Sequence, residues 1–112
     1  MITLTSIQQM FDRMSSDGVD IAKDLLWGFF FTDNDKKRLE LAKQELGEKG
    51  FNFVGIRQDE NGLYWLEMNR VMVHDPKSLL YVCKEMDAYA KMRSIGAFDG
   101  YDAGEIDALK VN

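Results

Sequence analysis

The sequence predicts an α+β domain in which helices cover an antiparallel sheet, and three observations predict it. One seven-residue run, Leu25-Leu26-Trp27-Gly28-Phe29-Phe30-Phe31, carries no charge and is bounded by Asp24 and Thr32-Asp33. Two further strand-like stretches are joined by Asp59-Glu60-Asn61-Gly62, a composition that turns the chain. Three segments whose apolar residues recur every three or four positions are interspersed with these strands.

Each element follows from local chemistry. Leu4, Ile7, Phe11 and Met14 share one face of a first helix, with Thr3 or Thr5 as its cap and Ser15-Ser16-Asp17-Gly18 as its end. Residues 20–23 are ambiguous. The apolar run 25–31 reads as a strand buried on both faces, hence a central one, with its flanking acids acting as gatekeepers against aggregation. Residues 32–49 read as a helix that buries Leu39, Ala42 and Leu46, supported by a Glu45–Lys49 pair and stopped by Gly50. Residues 51–58 and 63–74 form a hairpin through the 59–62 turn. In the second of these strands Tyr64, Leu66, Met68 and Met72 alternate with Leu63, Trp65, Glu67, Asn69, Val71 and Val73. Asp75-Pro76 caps and opens a last helix with the stripe Leu79, Val82, Cys83, Met86 and Ala90, which Gly96 ends. Gly96-Ala97-Phe98-Asp99-Gly100-Tyr101-Asp102 is too short and glycine-rich for a helix and reads as a closing strand.

The order after the first helix is therefore strand, helix, strand, strand, helix, strand. This is the split βαβ, or ferredoxin-like, arrangement: a βαββαβ sandwich with two helices on one face of a four-stranded antiparallel sheet, plus an N-terminal helix. Its first and third strands are central, which suits the apolar run. We expect a single domain over residues 1–112, with the N-terminal helix at about 3–15 and the core at about 24–107.

Composition narrows the function classes. The chain has 112 residues, 46% of them apolar and 29% charged, and a net charge of -5. A domain of this size buries roughly 65% of its unfolded surface, so it folds without a metal or disulfide. The negative charge argues against a phosphate-binding surface and suits a protein partner with a basic face. Cys83 is the only cysteine, which fits a reducing compartment. The opening Met1-Ile2-Thr3-Leu4-Thr5-Ser6 turns polar within a few residues, and no apolar run approaches the ~20 residues that span a bilayer. The expected location is the cytoplasm.

No catalytic, metal or cofactor site stands out. His74, the only histidine, has no second histidine or cysteine pair to complete a metal site, and it reads as a structural residue bridging a backbone group at the helix start. Cys83 falls on a buried stripe and reads as a core thiol. The acid pairs Asp33/Asp35 and Asp59/Glu60 sit where helix starts and turns call for them. An RNA-recognition domain shares this element order and carries aromatics on its central strands, as Trp27, Phe29, Phe31, Tyr64 and Trp65 do here. Residues 62–68, however, lack the basic-glycine-aromatic order of such a domain, so no direct RNA binding is expected.

Two helices leave one sheet face to be covered. A hairpin register through the 59–62 turn puts Val54, Ile56, Trp65 and Val71 together, and a slip of one residue swaps the sets. Either the 4–14 helix folds over this apolar surface, or it meets a partner or a second copy as a homodimer.

The closing Phe98-Asp99-Gly100-Tyr101, with Phe29-Phe30-Phe31 and the acidic helix start, Gly50-Phe51, and His74 after the third strand, resembles the bacterial ribonuclease E activity regulator B family. The resemblance spans about residues 10–107. In the family the closing signature usually reads Tyr-Asp-Gly-Trp, and Phe98 and Tyr101 keep its packing role while changing its polar atoms. The resemblance marks a divergent member, inhibitor-like towards ribonuclease E. It implies a ferredoxin-like fold and a non-enzymatic protein that binds the ribonuclease or its scaffold and modulates RNA turnover, without a cofactor. An immunity or antitoxin-like inhibitor of a basic toxin, and an enzyme with an unrecognised carboxylate site, are the competing readings. The candidate partner-binding residues are Phe98, Asp99, Tyr101, Asp102 and Glu105 in the tail, with Trp65. Asp99, Asp102, Glu105 and Asp107 precede any basic residue until Lys110, forming either a solvated edge or an acidic contact strip.

Overall fold

A computed structural model describes residues 2–106. Among them, helix α1 (Leu4–Ser16) is followed by strand β1 (Leu25–Asp33), helix α2 (Lys36–Glu48), strands β2 (Asn52–Gln58) and β3 (Tyr64–Met72), helix α3 (Pro76–Met92) and strand β4 (Ala97–Gly104). The strands form one antiparallel sheet in the order β2-β3-β1-β4. The α+β class, the βαββαβ order and the central position of β1 are as the sequence predicts. Asp107 lies outside the described residues.

One face of the sheet holds the core. Leu25, Trp27, Phe29 and Phe31 of β1 and Leu66 and Met68 of β3 are fully buried beneath Leu39 and Ala42 of α2 and Leu79 of α3. Phe31 meets Tyr89 of α3 edge to face at 6.1 Å, an arrangement that suits the ring quadrupoles. Helix α1 joins this same layer. Its Ile7 and Phe11 are buried in the common core, Phe11 lies 5.8 Å from Trp27, and α1 packs beside α3. The reading in which the 4–14 helix folds over the other sheet face is thereby overturned: three helices crowd one face, and none of the described elements covers the other.

Local chemistry corrects several boundaries. Strand β1 runs on through Thr32 and Asp33, so α2 starts at Lys36 rather than Thr32, capped by Asp35. The reason is Asp33, which is 2% exposed. Its carboxylate accepts hydrogen bonds from the Asp35 N–H (2.7 Å), the Gly96 N–H (2.9 Å) and the Arg38 guanidinium (3.4 Å). One acid thus ties the end of β1 to the start of α2 and the loop before β4, and it stays buried because those donors replace water.

Helix α3 ends before Gly96. Ser94 takes the left-handed conformation (φ 56°), and the Ile95 N–H reaches back to the Ala90 carbonyl at 2.9 Å. Gly96 serves close approach instead: a Cβ there would lie 2.8 Å from the Thr32 carbonyl oxygen. The Glu45–Lys49 pair is replaced by a longer-range one. The Glu45 carboxylate accepts from the Tyr89 hydroxyl at 2.6 Å and pairs with Arg93 at 2.5 Å, which ties α2 to the end of α3.

Two β-bulges decide which side chains face where. The β2–β3 register shifts between Phe53 and Gly55, leaving Val54 as the extra residue. Ile56 pairs with Leu66 on the helix side, not with Trp65 on the open side, because the turn sets Gln58 opposite Tyr64; the bulge then brings Phe53 to the helix side as well, opposite Met68. The β1–β4 register shifts between Phe30 and Phe31, leaving Asp99 as the extra residue.

Candidate functional site

The uncovered sheet face is built in rows that the strand pairing fixes. Arg57, Trp65, Thr32 and Ala97 form one row across β2, β3, β1 and β4. Gly55, Glu67, Phe30 and Gly100 form the next. Asn52, Asn69, Gly28 and Asp102 form the third, and Val71, Leu26 and Gly104 the last. Glycine occupies four of these places, and a Cβ at Gly55, Gly100 or Gly104 would meet nothing within 4 Å. The floor is therefore low around the larger side chains. Phe30, Trp65 and Leu26 are half-buried, and Val71 is 45% exposed.

Trp65 is held in place from two sides. Its indole N–H donates to the Asp59 carboxylate at 3.0 Å, and the Arg57 guanidinium stacks 5.0 Å from its ring centre. Asp59 also accepts from the Asn61 and Leu63 N–H groups, so the turn that joins β2 and β3 orients this ring. The Trp65 hydrogen bond, then those backbone bonds, hold the Asp59 carboxyl below its usual range against the opposing cost of burial. Sequence reading places Asp59 in the turn but misses its grip on Trp65. The signal is its spacing: an acid six residues before an indole, across a tight hairpin.

At the centre of the face two carboxylates converge over bare backbone. A Cβ at Gly28 would collide with the Asp102 carboxylate and lie 3.6 Å from Glu67 Oε2. Glycine at position 28 is what lets the acids sit there. Burial, and then the charge of Asp102, push the Glu67 carboxyl above its usual range, while Arg57 pulls the other way. Neither acid has a salt-bridge partner among the described residues. Sequence reading singles out Asp102 and passes over Glu67 and Gly28, whose meeting depends on strand register.

The other candidates divide between the faces. Phe98 and Tyr101 both turn inward: Phe98 lies 5.2 Å from Phe31, and Tyr101 lies 6.5 Å from Trp27. They anchor the edge strand, as the aromatic places of the closing signature suggest. Asp99, thrown out by the bulge, lines a groove of about 490 Å³ with Ile2, Leu80, Cys83, Lys84 and Phe98. Glu105 follows the end of β4 and is exposed. The tail acids thus do not form one strip: Asp99 faces the helix-side groove, whereas Asp102 shares the open face with Trp65. Of the RNA-type aromatics only Trp65 reaches that face, since Trp27, Phe29 and Phe31 are buried on the other and Tyr64 pairs across from Asp33 and Gln58 beside them.

His74 and Cys83 belong to the core. His74 is 6% exposed, meets Trp27 edge-on at 5.3 Å, and places Nδ1 2.9 Å from the Ser78 hydroxyl. Its partner is thus a side chain of the α3 capping box rather than a backbone group. Burial lowers its pKa; Asp75 opposes this and Arg70 reinforces it. Burial pushes the Cys83 thiol up to about 12, so it is neither ionised nor nucleophilic at neutral pH. Among the described residues no three of histidine, cysteine, aspartate and glutamate are grouped to hold a metal, and no helix is long and apolar enough to cross a membrane.

Comparison with known proteins adds the family. No curated protein matches the chain. The family model described as Regulator of ribonuclease activity B matches residues 5–103, which runs from the first turn of α1 almost to the end of β4. The chain belongs to the Regulator of ribonuclease activity B family.

Proposed function

We propose that this protein regulates a ribonuclease of the ribonuclease E type by binding the enzyme or its scaffold, without chemistry of its own, and so modulates RNA turnover. The observation that carries the reading is the uncovered sheet face. All three helices of the described residues lie on one side, and the other side presents Phe30, Trp65, Leu26 and Val71 around a pair of acids. Exposed apolar side chains with charged residues set among them are the anatomy of a protein contact.

The acid pair and the net charge of -5 disfavour RNA itself as the ligand, because phosphates would be repelled. A basic protein is the favoured partner. The cytoplasm, where RNA turnover takes place, is the compartment this reading needs. The test is a cleavage assay with purified ribonuclease and a structured RNA substrate. Stoichiometric addition of the protein slows cleavage and co-sediments with the enzyme. Unchanged cleavage together with separate migration would refute the reading.

A further inference from the structure

We propose that the uncovered sheet face is a docking surface for a partner segment that presents one arginine or lysine between apolar side chains, the cation seating between Glu67 and Asp102 over Gly28. The inference rests on the protein-binding reading above and names the chemistry of the partner.

Three observations on the face support it. First, the only surface on the sheet that no described element covers is also where Glu67 and Asp102 converge without a cation of their own. Arg57, the one guanidinium on this face, is stacked on Trp65 instead. A guanidinium or ammonium from outside would complete the pair with charge-assisted hydrogen bonds.

Second, the surroundings suit a side chain with an aliphatic stem. Phe30 stands beside Glu67, and Leu26 lies next to Gly28 in the strand order; the glycine floor at positions 55, 100 and 104 leaves room beside them. Arginine and lysine bury such stems along apolar surface while placing the charge at the tip. Apolar neighbours on the same segment would meet Trp65 on one side and Val71 on the other.

Third, the charge pattern selects among occupants. Among the described residues the strands of this face carry two carboxylates and one guanidinium, and the turn adds the Asp59 carboxylate beside Trp65. A two-fold copy of this chain would bring at least four carboxylates to two guanidiniums, so like charges would be juxtaposed. A nucleic acid would set phosphates against the same pair. A basic segment meets neither cost.

The experiment titrates isotope-labelled protein with the blocked pentapeptide Val-Leu-Arg-Leu-Val, with norleucine replacing arginine as the control, and follows backbone amide signals by NMR. The result expected is saturable binding, with shifts centred on Gly28, Phe30, Glu67 and Asp102. Affinity should fall roughly tenfold with the norleucine peptide and with the Glu67→Gln/Asp102→Asn double variant. Gly28→Ala, which displaces the Asp102 carboxylate but keeps both charges, should weaken binding in the same direction. Circular dichroism verifies that each variant is folded. Equal affinity for the two peptides, shifts centred on the Asp99 groove, or no saturation at millimolar peptide would each overturn the proposal. Binding to the purified ribonuclease separates the two claims. If wild type and double variant bind it equally, the docking chemistry fails and the regulatory reading stands. If wild-type protein does not bind it, the regulatory reading fails, and the peptide titration still decides what this face recognises.

Discussion

The two faces of one sheet are built on opposite principles. Odd-numbered positions of β1, from Leu25 to Phe31, face the helices and are all fully buried, and the face they share is closed by α1, α2 and α3. Even-numbered positions alternate small and large, Gly28 against Leu26 and Phe30, and the acids of β3 and β4 lean over the gap. One face is filled for stability. The other keeps holes, half-exposed rings and an unneutralised acid pair, all of which cost stability in the isolated chain. Helix α1 accordingly thickens the core and leaves the other sheet face open.

The largest effect should come from the covered face. Trp27→Ala or Phe29→Ala should cost about 3–5 kcal/mol, read by denaturant unfolding, because each leaves a large void in a packed layer. A loss below about 1 kcal/mol would break the distinction between the faces. Next comes Asp33→Ala, expected to cost about 2–4 kcal/mol, since it strands the Gly96 and Asp35 N–H groups at a junction of three elements. Gly96→Ala should act in the same direction, because its new Cβ would press on the Thr32 carbonyl.

The open face should behave differently. Trp65→Ala should cost about 1–2 kcal/mol of stability, the ring being half-buried, but about 2 kcal/mol or more of ribonuclease affinity by calorimetry. Equal affinity of variant and wild type would move the contact elsewhere. The smallest and most diagnostic change is Glu67→Gln. The Glu67 pKa is raised in the folded protein, chiefly by burial and then by Asp102, so its ionised form is disfavoured by folding. That contribution is fully favourable below the unfolded pKa and is lost as pH rises through the raised folded pKa. At neutral pH the variant should therefore be more stable than wild type by about a few tenths of a kcal/mol, an exposed pair being well screened. The gap should close as pH falls below the folded pKa of Glu67, where wild type becomes neutral too. A stabilising change that weakens binding would mark Glu67 as a residue kept for recognition. A destabilising one would place it in the structural class.

Much of this contrast was legible in the residues. The uncharged run 25–31 announces a central strand because only a strand paired on both sides shelters so many rings. Asp75-Pro76 announces α3 because Asp accepts from the Ser78 N–H at 2.8 Å and proline needs no partner at the first helical position. The candidate site was only partly legible. Trp65 and Asp102 were found, but their company depends on two bulges that no local pattern marks. One extra residue at Val54 sends Phe53 to the helix side, and another at Asp99 lets Phe98 and Tyr101, three residues apart, both turn inward. The side on which α1 packs was equally hidden, since periodicity gives a helix its apolar face and not the surface it meets. Asp33 shows the same limit: its three donors come from α2 and from a loop more than sixty residues away.

The most direct test of the account is hydroxyl-radical footprinting of the protein with and without the purified ribonuclease. Tyr81 and Met92 on the outer side of α3, 65% and 68% exposed, serve as internal references. Trp65, Phe30 and Leu26 should lose reactivity in the complex while Tyr81 and Met92 keep theirs. Protection of Tyr81 and Met92 with an unchanged Trp65 would contradict it, placing the contact on the helix layer and leaving the open sheet face without a role in binding.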